Sequence, residues 1–172
     1  NLRNPSRQDS LSPIVNALNH PNLNLLKNSG EVNLNDKFTL NVLSVFDDTN
    51  WIDPSDKNRI NIALYHGSIS GCLTDSEWVM DFGENEIEIF KKFDYAMLGD
   101  IHKTNQILDL KGKIRYAGST IQQNFGETLN KGFLIWDINN KENFTVKHIS
   151  IANPKPFISV TLTEDGKIPE LT

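Results

Sequence analysis

The apolar positions of this chain fall into two textures. Residues 38–46 (FTLNVLSVF), 60–65 (INIALY) and 95–98 (YAML) are short runs rich in apolar and β-branched side chains, the signature of strands buried on both faces of a parallel sheet. Residues 84–93 carry Ile87, Phe90 and Phe93 at helical steps with charges between them, which predicts an amphipathic helix. Strand, helix and strand in that order form a βαβ unit, normally a right-handed parallel crossover. Farther on, the runs at 107–110, 114–117, 133–138 and 144–151 are separated by turns such as Lys111-Gly112 and Asn139-Asn140, and predict an antiparallel set.

The flanks are plainer. Ser12-Pro13 has the form of an N-cap followed by proline at the first helical position, and Ile14, Val15 and Leu18 continue with helical spacing, so a short helix over 12–19 is expected, closed by His20-Pro21. Residues 47–57 form a turn-rich loop around Trp51. Residues 68–83 show no clear period, and Trp78, Val79 and Met80 there either cap a pocket or pack. Pro154 and Pro156 break the pattern before residues 157–162, which predict a further strand.

Length and composition suit one globular domain: 172 residues, 38% hydrophobic and 23% charged. No run approaches the roughly 18 apolar residues of a membrane span. The single cysteine, Cys72, excludes an internal disulfide and favours a reducing, cytoplasmic setting. A net charge of −5 argues against a free-standing module that holds duplex DNA by its own field. Nucleic-acid contact would need bound cations, a partner, or a local basic strip, for which Arg3, Arg7, Lys103, Lys111, Lys113 and Arg115 are candidates beside the plainer reading of scattered solvated charges. The first residue is Asn1 rather than methionine, so a piece of a longer polypeptide is expected.

The chemistry gathers where two apolar runs stop. Leu64-Tyr65 leads into His66 and Gly67, and Leu98-Gly99 leads into Asp100 and His102. Ligands of open α/β sheets collect at the carboxyl ends of strands, and residues two apart in extended chain face one side. Two imidazoles and a carboxylate would then converge, a donor set suited to manganese, iron or zinc. His20 and His148 lack such surroundings and are expected to be structural. The polar stretch GSTIQQNFGE (residues 118–127) is either a substrate-binding rim, with Ser119, Thr120 and Gln122 donating to a phosphate, or a plain connecting loop. Trp78 and Phe125 are expected to pack rather than stack on bases.

Taken together, LGDIHK (residues 98–103), IRYAGSTI (residues 114–121) and YHG (residues 65–67) resemble the SbcD-like DNA nucleases of the calcineurin-like metallophosphoesterase superfamily, and most of all its phage and viral recombination-endonuclease subunits. That family shows a Leu-Gly-His-x-His-Lys segment, a Tyr-x-Gly-Ser strand end and a single-histidine motif. Residues 1–13 resemble the stretch that follows its Gly-Asn-His-Asp motif, and NPKPF (residues 153–157) resembles its exit toward a DNA-capping domain.

The resemblance implies an α/β metallophosphoesterase-type sandwich of two mixed sheets flanked by helices and incomplete at the N-terminus. Residues 1–152 would be the C-terminal part of the nuclease domain, and residues 153–172 a linker and the start of the capping module. It implies two divalent ions, Mn2+ by preference, with His66 and Asp100 serving one and His102 the other. Asp100 stands where the family usually has histidine, a change compatible with manganese but able to alter metal preference and turnover. The Asp-x-His, Gly-Asp-x-x-Asp and Gly-Asn-His-Asp motifs, with the bridging carboxylate and the general-acid histidine, would lie upstream of Asn1.

The implied parent is an exo/endonuclease hydrolysing phosphodiesters at DNA ends in recombination, repair or phage replication. Its implied partners are DNA, an SbcC-like ATPase and a second copy of itself. The 172 residues alone are expected to be inactive and marginally stable. Two other readings remain: a calcineurin-like phosphoesterase acting on cyclic nucleotides or phosphoproteins, and a non-catalytic protein that docks the ATPase.

Overall fold

Ile60, Ile62, Ala63 and Tyr65 are all buried, so both faces of their strand are covered and the strand must lie inside a sheet. The computed structural model describes residues 9–168. Among these residues, β1 (Gly30–Asn33), β2 (Phe38–Leu43), β3 (Ile60–His66), β4 (Tyr95–Gly99), β5 (Gln106–Ile107) and β6 (Ile114–Tyr116) form one mixed sheet in the order β1-β2-β3-β4-β6-β5. The inner pairs β2–β3, β3–β4 and β4–β6 are parallel, and the outer pairs β1–β2 and β5–β6 are antiparallel. β7 (Gly132–Ile138) and β8 (Phe144–Ser150) pair antiparallel as a separate two-stranded sheet. The protein is α/β, with few helices among the described residues.

Each face of the large sheet has its own apolar cluster. On one, Tyr65, Ile69, Cys72, Phe90, Leu98, Ile101 and Tyr116 pack together, with Trp51 and Met80 against them. On the other, Ile60, Ile62 and Tyr95 meet Trp136, Ile138 and Phe144 of the hairpin. The Tyr95 ring sits edge-on to Trp136 and to Phe144, with centroids 6.1 and 5.1 Å apart. Such pairs contribute about 0.5–1.5 kcal/mol each beyond buried area.

Several expectations change in the folded chain. The helix predicted over 84–93 is only a 3-10 turn, Ile87–Phe90. Asn85 is held by exchange of backbone hydrogen bonds, donating to Ser68 and accepting from Ser70, while the Asp94 N–H donates to Asn61. Between these ties only Ile87–Phe90 coils, and Phe90 is buried in the cluster on the face of the sheet. β3 and β4 are nonetheless parallel neighbours as expected. β6 pairs antiparallel with β5, as expected of the runs at 107–110 and 114–117, but its other edge joins β4 in parallel, so these two strands extend the large sheet while β7 and β8 pair apart from it. No strand forms over residues 157–162.

The short helix exists as α1 (Ser12–Leu18), but Ser12 is not its cap. The Asp9 carboxylate accepts the Leu11 and Ser12 N–H groups and the Ser12 hydroxyl, and Asn19 closes the helix with φ 40°. The helix buries none of its residues, so it does not cover the sheet as the flanking helices of the expected sandwich would. No helix among the described residues is long and apolar enough to cross a membrane.

Candidate metal centre

β3 and β4 run parallel in a register that sets His66 beside Gly99. Both strands therefore end at one level, and the chain beyond each projects from the same edge of the sheet. A Cβ on Gly99 would meet the His66 Nδ1 at 2.7 Å, so the absence of a side chain there leaves room for the imidazole. The Tyr116 hydroxyl donates to the Gly67 carbonyl at 2.7 Å and ties β6 under the same turn. Burial pushes the Tyr116 phenol well above its ordinary value, which keeps it a neutral donor.

Asp100 follows Gly99 with φ 92°, a conformation rare for any residue with a side chain. The strand has ended, so the two-apart rule for extended chain does not apply between Asp100 and His102. This backbone turn brings the Asp100 Oδ1 within 3.8 Å of the His66 Nε2. Strain of this kind costs about 1–3 kcal/mol and gathers at functional sites. Both side chains stay largely exposed.

His102 does not join that pair directly. Its Nδ1 lies 2.7 Å from Glu127 Oε1, while its ring borders an open cleft of about 230 Å3 that Asp100 and Glu127 also line. Behind the ring, Lys131 is buried to 1% exposure, between Asp75 and Glu127 at 6% and 5%. Its ammonium lies 3.2 Å from each carboxylate and donates to the His102 carbonyl at 2.9 Å. Burial by itself pushes the Glu127 carboxyl up. Hydrogen bonds from His102, the Gln123 N–H and Lys131 outweigh that and hold it below the ordinary 4.5.

Glu127, Lys131 and Asp75 were missed in the sequence. A Glu and a Lys four apart in a polar loop look like a solvated pair, and Asp75 sits 53 residues before Thr128, whose N–H it accepts. Glu127 and Lys131 carried one signal, their place at the end of the GSTIQQNFGE segment and just after it, and Asp75 carried none.

The proposed phosphate-binding trio separates. Thr120 is exposed, and the Ser119 hydroxyl is buried without a partner. Gln122 is buried, its amide donating to Glu127 O at 2.9 Å and accepting from the Phe157 N–H at 3.1 Å, so it ties two backbone segments together. Gly118 has φ 88°, and a Cβ there would meet the Thr104 backbone at 2.8 Å, which accounts for glycine ahead of Ser119.

The remaining candidates have plain roles. His20 accepts the Asn22 N–H, and the His148 Nε2 is buried without a partner. Burial raises the Cys72 thiol above its ordinary value, as suits a core residue. Trp78 is largely exposed rather than packed, while Phe125 rests its ring against Phe157 at 4.9 Å. Lys103 pairs with Glu77, Lys111 and Lys113 with Glu142, and Arg115 donates to Asn105 and Gly112. These cations are neutralised or engaged rather than arrayed as a strip. Arg3 and Arg7 lie outside the described residues, as does most of the opening segment.

His66 and Asp100 suit a divalent ion as a donor pair. Donors each about 2.0–2.2 Å from one ion can be separated by the observed 3.8 Å. Among the described residues, no three His, Cys, Asp or Glu side chains gather into a group able to hold a metal ion. Such a centre therefore needs further donors.

Comparison with known proteins places the chain beside two relatives. It is 35% identical to an uncharacterized protein of Acanthamoeba polyphaga mimivirus over 182 aligned positions, which take in 99% of this chain and 13% of that protein. It is 37% identical to the SbcD component of the nuclease SbcCD of Staphylococcus epidermidis over 92 positions, 51% of this chain and 24% of that component. No family model matches. The chain is thus related over half its length to a component of a nuclease, and it spans under a quarter of either relative's length.

Proposed function

We propose that this chain supplies part of the metal centre of a metallophosphoesterase-type DNA nuclease. The observation that carries the reading is the His66–Asp100 pair, 3.8 Å apart at the ends of adjacent parallel strands, with His102 lining a cleft that Asp100 also lines. The similarity to a component of the nuclease SbcCD supports it. His66 and Asp100 would hold one divalent ion, Mn2+ by preference, and His102 a second. Bound there, the ions would polarise a phosphodiester and activate water for hydrolysis. The chain's own part is to fix three donors on one edge of the sheet.

The remaining donors and the general-acid histidine would come from elsewhere in the full-length protein. Its substrate would be DNA ends, processed in recombination, repair or phage replication. It would act as a homodimer with an SbcC-like ATPase. Residues 153–172 would lead from the nuclease domain, residues 1–152, into a DNA-capping module.

The test is Mn2+-dependent cleavage of linear duplex DNA by the full-length protein, before and after His66→Ala, Asp100→Ala and His102→Ala. Each substitution should reduce cleavage at least about tenfold. Undiminished cleavage in all three would remove the centre from these residues. Residues 1–172 alone should cut DNA negligibly. A cyclic nucleotide and a phosphopeptide in the same assay would reveal another phosphoesterase specificity.

A further inference from the structure

Glu127 stands in a different relation to the cleft from the three proposed ligands. Its carboxylate is 5% exposed, and both oxygens are occupied. Oε1 faces His102 Nδ1 at 2.7 Å and accepts from the Asn124 amide at 3.1 Å. Oε2 accepts from the Gln123 N–H at 2.9 Å and lies 3.2 Å from the Lys131 ammonium. Lys131 is itself pinned by Asp75 and by the carbonyl of His102. The carboxylate is thus held from several directions before any ligand arrives. It sits behind the imidazole, whose side chain remains 42% exposed.

We propose that Glu127, buttressed by Lys131 and Asp75, is a positioning residue that locks His102 as the Nδ1–H tautomer and leaves Nε2 as the lone-pair nitrogen for a divalent cation. The inference rests on the reading of His102 as a metal ligand. An ionised carboxylate facing Nδ1 can only accept, so Nδ1 must carry the proton and Nε2 must be the basic nitrogen. Because Lys131 also holds the His102 carbonyl, ring and backbone are fixed by one assembly. An imidazole whose second nitrogen is bonded to a carboxylate is oriented and made more basic, and losing such a partner typically costs ten- to a hundredfold in metal affinity.

The experiment uses the full-length protein and two readouts. The first is the 15N spectrum of the histidine rings in metal-free protein at about pH 8.5, roughly two units above the ordinary imidazole value. His102 should show a protonated Nδ1 and an unprotonated Nε2, and Glu127→Ala should abolish that preference. A wild-type His102 protonated at Nε2 overturns the proposal without any variant. The second is Mn2+ binding, followed by electron paramagnetic resonance. Glu127→Ala should weaken it about 10- to 100-fold, and Glu127→Gln, whose carbonyl can still accept from Nδ1, should restore part of the loss.

Unchanged Mn2+ affinity in Glu127→Ala, where His102→Ala does lower it, overturns the positioning role. Unchanged affinity in His66→Ala, Asp100→Ala and His102→Ala alike defeats the metal reading instead. The tautomer result still decides whether Glu127 orients the ring. Glu127→Gln keeps side-chain volume and guards against loss of fold in the alanine variant.

Discussion

Gly99 lies directly beside His66 across the β3–β4 ladder, and a methyl group at position 99 would press on the imidazole at 2.7 Å. The contact is with an exposed side chain rather than with backbone, so the ring can swing aside. Gly99→Ala should therefore leave stability within about 1 kcal/mol of wild type while displacing His66 from Asp100. Thermal melting and Mn2+ binding, measured together, check this. A loss of several kcal/mol, or unaltered metal affinity, would count against it.

Lys131 is the buried cation between two buried carboxylates. Lys131→Met keeps most of the packing volume and removes the charge, leaving the buried carboxylates of Asp75 and Glu127 without a cation between them. Breaking a buried ion pair on one side costs about 3–5 kcal/mol. Urea unfolding of the variant should show a loss of that size, whereas a loss below about 1 kcal/mol would mean that water reaches the pair.

Glu127 makes stability depend on acid. Its carboxyl is depressed in the folded state below the ordinary 4.5, so the unfolded chain takes up the proton first as pH falls. The stability it contributes is complete above about pH 4.5 and drains away as pH drops below that toward the folded value. Glu127→Gln has no such proton to bind. Its unfolding free energy should therefore fall less than wild type's between pH 6 and pH 3.5, as denaturant titrations at the two values would reveal. Parallel losses in the two proteins would speak against the ionised carboxylate.

Trp136 is the main clasp between the hairpin and the large sheet, meeting Tyr95 edge-on and stacking on Phe144 at 6.0 Å. Trp136→Ala should cost about 2–4 kcal/mol, toward the low end of aromatic truncations because the ring is only half-buried. Hydrogen exchange should show β7 and β8 opening before β3 and β4. Uniform protection across both sheets would contradict a separable hairpin.

How much of this was legible beforehand differs by element. The runs containing Ile60, Ile62, Tyr95 and Leu98 were readable as buried parallel strands, because continuous apolar character needs only the local sequence to be seen. The same runs announced that His66, Asp100 and His102 follow strand ends. The helical spacing of Ile87, Phe90 and Phe93 does not become an α-helix: the segment is tied to residues 61 and 68–70 near its two ends and coils only over Ile87–Phe90. β6 pairs antiparallel with β5, as the turn at Lys111-Gly112 announces, but its parallel pairing with β4 was not legible, because a three-residue strand carries no mark of a distant partner.

The sequence by itself determined the α/β class, the central parallel pair and which end of it carries imidazole and carboxylate. Tertiary structure alone decided that Asp100 turns toward His66, that His102 faces Glu127, and that Lys131 is sealed beneath them. The first set follows from periodicity, a property of neighbours in the chain. The second depends on contacts between residues 25 to 56 positions apart, such as His102 with Glu127 and Asp75 with Lys131, and on a positive φ that no residue other than glycine announces.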